Sequence, residues 1–469
     1  MTADVAPQPQ ALSAGQESMW LLHRLAPDSP AYSILSAVRI LTAVDDAILD
    51  QAVRIVAERH PPLRSRYFEQ DGRLVCADLG PDAVELAVHE IGRLPDEQLR
   101  ERALEVYRRP FRLEDEAPLR VSLLRATPQE AVLVLVIQHV AGDASSQWLV
   151  LREILDVYSS LIQTGRPSPE PARMPFAQHV AAERELIGSE RGDRMARYWK
   201  ELRAGAAPAE LPADRPRPAT PSLRGAACTV PLPDRTGARV KAAAEDLGVT
   251  PFAFLLGVFQ VMVHRYGGYG DALIGSAASC RTRETAQSVG YLVNPVLVRS
   301  SISRRTTFRE AARAAHSQIL KGLMNVAYPT VLLARDEDAA RSRGPLAHLA
   351  FTLIMADRLE PRLPFPADGA LAGPATDYRG LRLALLDLPH MEGQFDLNTE
   401  LRLSGDTLVA AFRYATDLFE PETAQGFADG YARLLAAALD DPDLPAAKAP
   451  LADPADLLAL LSLGAAYPA

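Results

Sequence analysis

Residues 131–137 (AVLVLVI) form an uninterrupted apolar run rich in β-branched side chains, and no other feature constrains the fold as strongly. A run of this length and composition predicts a β-strand that is buried on both faces. Such a strand holds His139 rigidly in the loop QHVAGDA, residues 138–144. An imidazole in that position is a candidate general base, and the alternative is a core histidine bonded to a backbone group.

Length and charge limit the number of domains and the kinds of partner. The chain has 469 residues, 48% of them hydrophobic, which is more than one hydrophobic core usually serves. We therefore expect two lobes. The net charge is −9 and there is no long block of like charge, which argues against a nucleic-acid partner.

Cysteine usage and hydropathy indicate a protein of the reducing cytoplasm. Cys76, Cys228 and Cys280 lie far apart and are odd in number, which argues against a disulfide framework and against a zinc site. The first twelve residues lack the apolar core of a secretion signal. The longest apolar stretch, residues 251–263, is too short to cross a bilayer as a helix, so we expect no membrane partner.

Helical periodicity places the histidine loop between a strand and a helix. Apolar residues at helical spacing predict amphipathic helices over residues 45–60 and over about 147–161. His139 and Asp143 therefore lie in a strand-to-helix connection. Loops of this kind often carry function, because rigid flanking elements fix their side chains.

The second half of the chain has its own start and stop signals. Thr250 followed by Pro251 predicts an N-cap and a first helical residue, which opens a long apolar helix over residues 252–266. Residues 204–224 are rich in proline and alanine and have no periodicity, so they predict a connection between lobes without a helix or a central strand.

A series of segments, taken in order along the chain, carries a family resemblance. These segments are LSAGQESMW (12–20), RHPPLRSRY (59–67), QHVAGDA (138–144), the stretch 250–275, VGYLVNPVLVR (289–299), RSRGPL (341–346), and FDL (395–397) with YATDLF (414–419). Together they resemble the condensation domain of non-ribosomal peptide synthetases, within the chloramphenicol-acetyltransferase-like acyltransferase superfamily. One such motif is weak evidence, but an ordered series over nearly the whole chain is strong.

The resemblance implies an α/β fold, an α+β sandwich of two chloramphenicol-acetyltransferase-like lobes that form a V-shaped pseudo-dimer with a central tunnel. We expect a disordered segment at residues 1–11, an N-terminal lobe with the histidine motif at 12–185 and a C-terminal lobe at 186–450. Residues 451–469 resemble the linker that leads to an adenylation domain.

The resemblance also implies the reaction. An acyl or peptidyl thioester on the phosphopantetheine arm of an upstream carrier protein is joined to the amine of an aminoacyl group on a downstream carrier protein, which forms an amide. The domain itself is expected to bind no cofactor and no metal. Its implied partners are the two carrier proteins and an adjacent adenylation domain.

Roles for individual residues follow from the family pattern His-His-x-x-x-Asp-Gly. His139 matches the histidine credited with catalysis, while Gln138 and Ala144 replace the first histidine and the glycine. Gln138 is expected to serve packing and hydrogen bonding. Asp143 is expected to form a salt bridge with Arg64 that fixes the loop and aims His139.

Three further positions and three other functions complete the expectations. Gly142 belongs to the motif loop, and Asn294 and Gly290 are candidate contacts of the tunnel or the pantetheine arm, with a structural tie between strand and loop favoured for Asn294. The altered Gln138 and Ala144 leave open an inactive platform that recruits tailoring enzymes. An ester-forming relative and an epimerising relative also stay open, since residues 389–395 do not decide the latter.

Overall fold

The computed structural model describes residues 9–334, 346–359, 361–366, 370–388 and 393–451. Ten α-helices occur within these ranges. They are α1 (Ala14–Leu25), α2 (Asp46–Arg59), α3 (Asp96–Arg108), α4 (Ala144–Thr164), α5 (Phe176–Ile187), α6 (Glu190–Arg203), α7 (Thr236–Leu247), α8 (Pro251–Gly267), α9 (Phe308–Met324) and α10 (Pro421–Asp440). The RSRGPL motif at 341–346, apart from its last residue, and the tail at 452–469 lie outside the described residues.

The same part of the chain contains fifteen β-strands. They are β1 (Gln10–Ala11), β2 (Ser33–Ile40), β3 (Ser65–Gln70), β4 (Arg73–Asp78), β5 (Leu86–Glu90), β6 (Leu119–Thr127), β7 (Glu130–Gln138), β8 (Gly225–Val230), β9 (Asp271–Ser279), β10 (Val293–Ser301), β11 (Leu349–Met355), β12 (Thr376–Tyr378), β13 (Leu381–Leu385), β14 (Leu397–Ser404) and β15 (Thr407–Ala415).

The first lobe is built on a six-stranded sheet in the order β12-β13-β2-β7-β6-β5. The apolar run of residues 131–137 lies in β7, which pairs antiparallel with β2 on one side and β6 on the other. All seven of its side chains are buried, as the sequence predicts for a strand covered on both faces. Helices α3 and α4 pack against β2 and β7, and α2 packs against α4.

The second lobe is built on another six-stranded sheet, in the order β10-β9-β11-β14-β15-β8. Strand β11 is parallel to both β9 and β14, whereas the other neighbouring pairs are antiparallel. Helix α8 packs between α9 and α10 and buries nearly its whole circumference, which explains its continuous apolar sequence. The two lobes have separate hydrophobic cores, so the expected two-lobed α/β architecture is confirmed.

The structure departs from the expected boundaries at two places. Residues 1–11 were expected to be disordered, but Gln10–Ala11 pairs antiparallel with β4 in a small sheet of order β1-β4-β3. The range 186–450 was expected to belong to the second lobe, but β12 and β13 lie on the edge of the first sheet, where β13 pairs with β2. The first lobe thus takes strands from the second half of the chain, because an exposed sheet edge accepts any strand with matching backbone groups.

The predicted helices are confirmed, with one shift of start. Thr250 caps α8 through a hydrogen bond from the Ala253 N–H at 3.2 Å, and Gly268 ends that helix with φ of +74°. Helix α4 begins at Ala144 rather than at residue 147, because the Asp143 side chain caps it. Among the described helices, none alone is long and apolar enough to span a bilayer. Only α7 and α8 taken together have the length and the apolar composition of a span, and the two helices are bent by 95° relative to each other.

Candidate active site

His139 stands where strand β7 ends, in a short 3-10 turn. Its backbone N–H donates to the Tyr32 carbonyl at 2.7 Å, which anchors the turn to the start of β2. Its ring Nδ1 lies 2.8 Å from the carbonyl oxygen of Gly142. A carbonyl only accepts hydrogen bonds, so Nδ1 carries the proton and Nε2 keeps a free lone pair.

Burial keeps the His139 imidazole neutral. Burial lowers the pKa of its imidazole below the usual 6.5, and the nearby Asp143 carboxylate opposes this effect without overcoming it. The imidazole is therefore unprotonated at Nε2 near neutral pH. A neutral ring with one fixed N–H and one free nitrogen is the form that accepts a proton.

The residues next to His139 brace the turn. Gln138 is buried, and its side-chain oxygen accepts a hydrogen bond from the Val140 N–H at 2.6 Å. A Cβ on Gly142 would lie 3.2 Å from both Ile137 and Ser146, so this position leaves little room for a side chain. Ala144 is the first residue of α4 and has a helical backbone, which alanine adopts without strain.

Asp143 ties the histidine loop to the second lobe. Its carboxylate accepts hydrogen bonds from the Ser146 N–H at 2.7 Å, from the Leu292 N–H at 3.0 Å and from Arg281 Nη2 at 2.8 Å. The Ser146 hydroxyl also lies 2.9 Å from the Gly290 carbonyl oxygen. The carboxylate is therefore both the cap of α4 and one side of a buried inter-lobe ion pair.

The predicted salt bridge between Asp143 and Arg64 is wrong. The Arg64 guanidinium instead forms a two-pronged pair with Asp78, at 2.8 Å from Nε and 2.7 Å from Nη2, and donates to the Ala57 carbonyl at 2.7 Å. Arg64 is the last residue of the turn after α2 and faces β4, where its planar guanidinium can bond both oxygens of the Asp78 carboxylate. Sequence reasoning missed Arg281, which follows strand β9 and has no local signal of its role.

The RHPP motif contributes a buried ionic cluster that lies apart from His139. His60 Nε2 lies 3.1 Å from Glu153 Oε1, and Arg173 Nη1 lies 2.8 Å from the same oxygen. Burial acts to raise the pKa of Glu153, but the bonds from His60 and the charge of Arg173 outweigh burial and lower it to about 2. This cluster joins the end of α2 to α4, so the motif supports the helices behind the site.

The loop at 288–292 brings a second ring to His139. The Tyr291 ring makes an edge contact with the imidazole, with ring centroids 5.4 Å apart. Gly15 of α1 lies so close that a Cβ there would meet Tyr291 Cε1 at 2.4 Å. A Cβ on Gly290 would meet the Phe176 ring at 2.1 Å. Gly15 therefore allows close packing against the ring that touches His139, and Gly290 allows the backbone next to Tyr291 to approach Phe176.

Asn294 ties strand β10 to the segment after α9. Its Nδ2 donates to the carbonyls of Val326 at 2.8 Å and Tyr328 at 2.6 Å, and its Oδ1 accepts from Thr330. These bonds occupy both ends of the carboxamide. Asn294 also lines a cavity, but its polar atoms are used within the protein.

Two cavities approach each other at the contact of His139 with Tyr291. One of about 270 Å³ is lined by His139, Ala144 and Gln147 from the first lobe and by β14 from the second. The other, of about 260 Å³, is lined by Tyr291 and Asn294 among others. The free Nε2 thus belongs to a ring that opens on a cavity between the lobes, and the continuous tunnel stays a prediction.

The cavity wall from the second lobe is polar, and sequence reasoning missed it. Strand β14 has the sequence LNTELRLS, in which Leu397, Thr399, Leu401 and Leu403 are buried on one face. The other face holds Asn398, Glu400 and Arg402, which line the cavity with Arg413 of β15. The strict alternation of this segment was a visible signal for a strand with one polar face.

The arrangement can accept a proton from a group that enters the cavity. Within the described residues, no group of three or more His, Cys, Asp or Glu side chains is arranged to hold a metal ion. What the site offers is a neutral imidazole with an aimed lone pair, in a cavity between two lobes. This suits proton transfer from an amine or a hydroxyl during acyl transfer.

Comparison with known proteins gives one family over nearly the whole chain. The family model for the condensation domain matches residues 7–461. The chain is 31% identical over 453 residues to a linear gramicidin synthase of Brevibacillus parabrevis, which covers 94% of this chain and 6% of that protein. It is 30% identical over 453 residues to phosphinothricin tripeptide synthetase PhsB of Streptomyces viridochromogenes, with 95% of this chain and 37% of that protein covered. The chain therefore spans a minor part of these relatives.

Solved structures give the same fold. The X-domain from teicoplanin biosynthesis is similar with a TM-score of 0.81 and 24% identity, covering 96% of this chain and 99% of that one. The first condensation domain of the calcium-dependent antibiotic synthetase is similar with a TM-score of 0.77 and 19% identity, covering 95% and 99%. At these identities the likeness shows the fold alone.

Proposed function

Because the chain belongs to the condensation-domain family, we propose that it forms an amide between two carrier-bound substrates. The donor is an acyl or peptidyl thioester on an upstream carrier protein, and the acceptor is the amine of an aminoacyl group on a downstream carrier protein. An adjacent adenylation domain is the further partner in this proposal. The curated relatives, which are peptide synthetases, support this assignment.

The proposed step moves one acyl group and one proton. The acceptor amine attacks the thioester carbonyl, a C–N bond forms, and the C–S bond breaks. His139 Nε2 takes a proton from the attacking nitrogen and passes it to the departing thiolate, so the imidazole ends neutral as it began. The thioester is already activated and an α-amino group has a pKa of about 8, so the chemical demand on the protein is small.

One observation carries the proposal. The hydrogen bond from His139 Nδ1 to the Gly142 carbonyl, at 2.8 Å, leaves the Nε2 lone pair free in a ring that lines the cavity between the lobes. Asp143 supports this geometry, because it caps α4 and holds the loop against Leu292 of the second lobe. Asp143 does not contact the imidazole through any of these bonds, so we assign it to positioning.

Most of the rate acceleration is assigned to proximity. Holding two tethered ends in line supplies about 7–11 kcal/mol in favourable cases. Proton transfer by a placed side chain contributes about 10²- to 10⁴-fold. Loss of His139 should therefore slow the reaction strongly while the proximity effect remains.

The test loads an acyl group on the upstream carrier protein and an aminoacyl group on the downstream one, and measures the joined product by mass spectrometry. The His139→Ala variant should form product about 10²- to 10⁴-fold more slowly than wild type. His89→Ala is the matched control, because His89 is exposed on the edge strand β5 and lies away from the cavity. A hydroxyacyl acceptor, run in parallel, separates ester from amide formation.

Two outcomes would contradict this proposal. Equal rates for wild type and His139→Ala would remove His139 from the mechanism. Absence of product from every loaded pair would favour the second candidate, a platform that recruits a tailoring enzyme to a carrier-bound peptide. That candidate is supported by the likeness to an X-domain solved in complex with OxyB, with a TM-score of 0.79 and 22% identity.

A further inference from the structure

A thin partition separates the first cavity, of about 270 Å³ beside His139, from the second cavity, of about 260 Å³. Among the described residues, none lines both cavities. His139 and Ala144 line the first cavity. Tyr291 and Leu292 line the second, and the Tyr291 ring contacts the His139 ring. Asp143, next to Ala144, accepts a hydrogen bond from the Leu292 N–H at 3.0 Å. The partition is therefore one layer of side chains thick.

The Tyr291 ring is held in place within this partition. The residue is 8% exposed, although it lines the second cavity. One edge of its ring lies against the backbone of Gly15, where an added Cβ would meet Cδ1 at 2.5 Å. The backbone next to the ring is fixed as well, because Leu292 is bonded to the Asp143 carboxylate. The ring therefore cannot swing towards α1 without displacing packed backbone.

The position of this ring limits what can reach His139 from the second cavity. Of the partition residues His139, Asp143 and Tyr291, the tyrosine has the largest side chain. A group bound in the second cavity must pass the edge of the Tyr291 ring to approach the imidazole of His139. Forcing extra atoms into a well-packed place is unfavourable, so a slim group passes more easily than a bulky one.

From the thin partition and the fixed ring, we infer that Tyr291 sets the size limit for the substrate that approaches His139 through the second cavity. That substrate has a small side chain, such as the methyl group of alanine, next to its reacting atom. This inference rests on the proposed function, because it takes the two cavities as the places of the two substrates. It names a residue that determines specificity and the size class of one substrate.

The test measures binding without turnover. The probes are the N-(2-acetamidoethyl)amides of alanine and phenylalanine, which imitate the end of a pantetheine-bound amino acid and differ by one phenyl ring. In isothermal titration calorimetry on the full chain at pH 7.5, wild type should bind the alanine probe at least about tenfold more tightly than the phenylalanine probe. Free-amine and N-acetylated forms of each probe distinguish an acceptor from a donor.

Variants test the role of the ring. Tyr291→Ala and Tyr291→Leu should each bind the phenylalanine probe at least about tenfold more tightly than wild type does, because the phenyl ring is buried in the vacated space. Their affinity for the alanine probe should change less than about threefold. Tyr291→Phe keeps the ring and should keep the wild-type preference.

A second control and a folding check complete the set of variants. Tyr378→Leu is the matched control, because Tyr378 is half-buried on β12 and lines neither cavity. Circular dichroism shows whether each variant is folded, and Tyr291→Leu carries the test if Tyr291→Ala does not fold. A purely structural role of Tyr291 would weaken the binding of both probes alike and would leave their ratio unchanged.

The inference is overturned if wild type binds both probes equally, if neither probe binds at millimolar concentration, if folded Tyr291→Leu keeps the wild-type preference, or if Tyr291→Phe loses it. The proposed function fails separately. A relaxed preference in Tyr291→Leu without any joined product from loaded carriers would refute amide formation alone. Joined product with the same probe preference in every variant would refute only the size limit.

Discussion

Replacement of Asp143 by alanine should destabilise the protein mainly by leaving Arg281 uncompensated. The Arg281 side chain is 10% exposed, and its Nε and Nη1 have no partner in the described part of the chain. Loss of one partner from a buried ion pair costs about 3–5 kcal/mol. The lost cap of α4, worth about 1 kcal/mol, places Asp143→Ala in the upper part of that range. We expect a total loss of about this size for Asp143→Ala.

The expected shift in melting temperature follows from the length of the chain. Unfolding entropy of about 2.1 cal/mol/K per residue gives about 1 kcal/mol/K for 469 residues, if the chain melts as one unit. Asp143→Ala should therefore lower Tm by about 3–5 °C in differential scanning calorimetry. A larger shift is expected if the first lobe melts separately, because fewer residues then share the loss.

A double-variant cycle separates the ion pair from the other bonds. Arg281→Ala should lower Tm less than Asp143→Ala, because the Asp143 carboxylate keeps its bonds from Ser146 and Leu292 at the start of a helix. The double variant should melt no lower than Asp143→Ala, since it buries no unpaired charge. Arg64→Ala is the control, and its effect should add to that of Asp143→Ala. Additive losses for Asp143 with Arg281, or coupling with Arg64 instead, would refute the reasoning.

Three further predictions address protonation, packing and acid stability. The ring nitrogens of His139 should titrate with a midpoint below pH 6.5 in NMR spectra, because burial lowers the pKa. Comparison with His139→Ala assigns their signals, and a midpoint at or above pH 6.5 would contradict the prediction. Gly15→Ala should displace the Tyr291 ring and slow product formation. Gly426→Ala in α10 is the control, because nothing lies within 4 Å of the added Cβ; it should leave the rate unchanged and raise Tm slightly. Equal rates for the two variants would argue against the packing role of Gly15. Glu153→Gln should lower Tm at pH 6, because the charged Glu153 stabilises the native state when its native pKa is about 2. The variant should also lose less Tm than wild type as pH falls from 4.5 towards 2, and an equal loss of Tm in both proteins over that pH range would contradict this.

Elements with strong local signals were predictable to within a residue or two. The run of residues 131–137 became β7 (Glu130–Gln138), and the predicted helix at 45–60 became α2 (Asp46–Arg59). Caps, prolines and apolar spacing act over a few residues, so their meaning does not depend on distant parts of the chain. The start of α4 was missed because Asp143 was assigned to an ion pair alone and also serves as the cap.

Contacts between distant segments were not predictable in the same way. Arg281 is 138 residues from Asp143, and its neighbours in sequence give no sign of their pairing. Strands β12 and β13 lie on the edge of the first sheet although they follow the second lobe's first strands in sequence. The alternation in β14 was visible, but the identity of the surface that its polar face meets depends on how the lobes are placed.

The sequence by itself determined the family, the order of the main helices and strands, and the position of His139 at the end of a buried strand. Only the tertiary structure decided that Arg281 and not Arg64 pairs with Asp143, that the Gly142 carbonyl leaves His139 Nε2 free, and which side chains wall the cavity. The physical reason is that backbone preferences are local, whereas many arginines share the same chemistry. The relative placement of two lobes selects which of them reaches a given carboxylate.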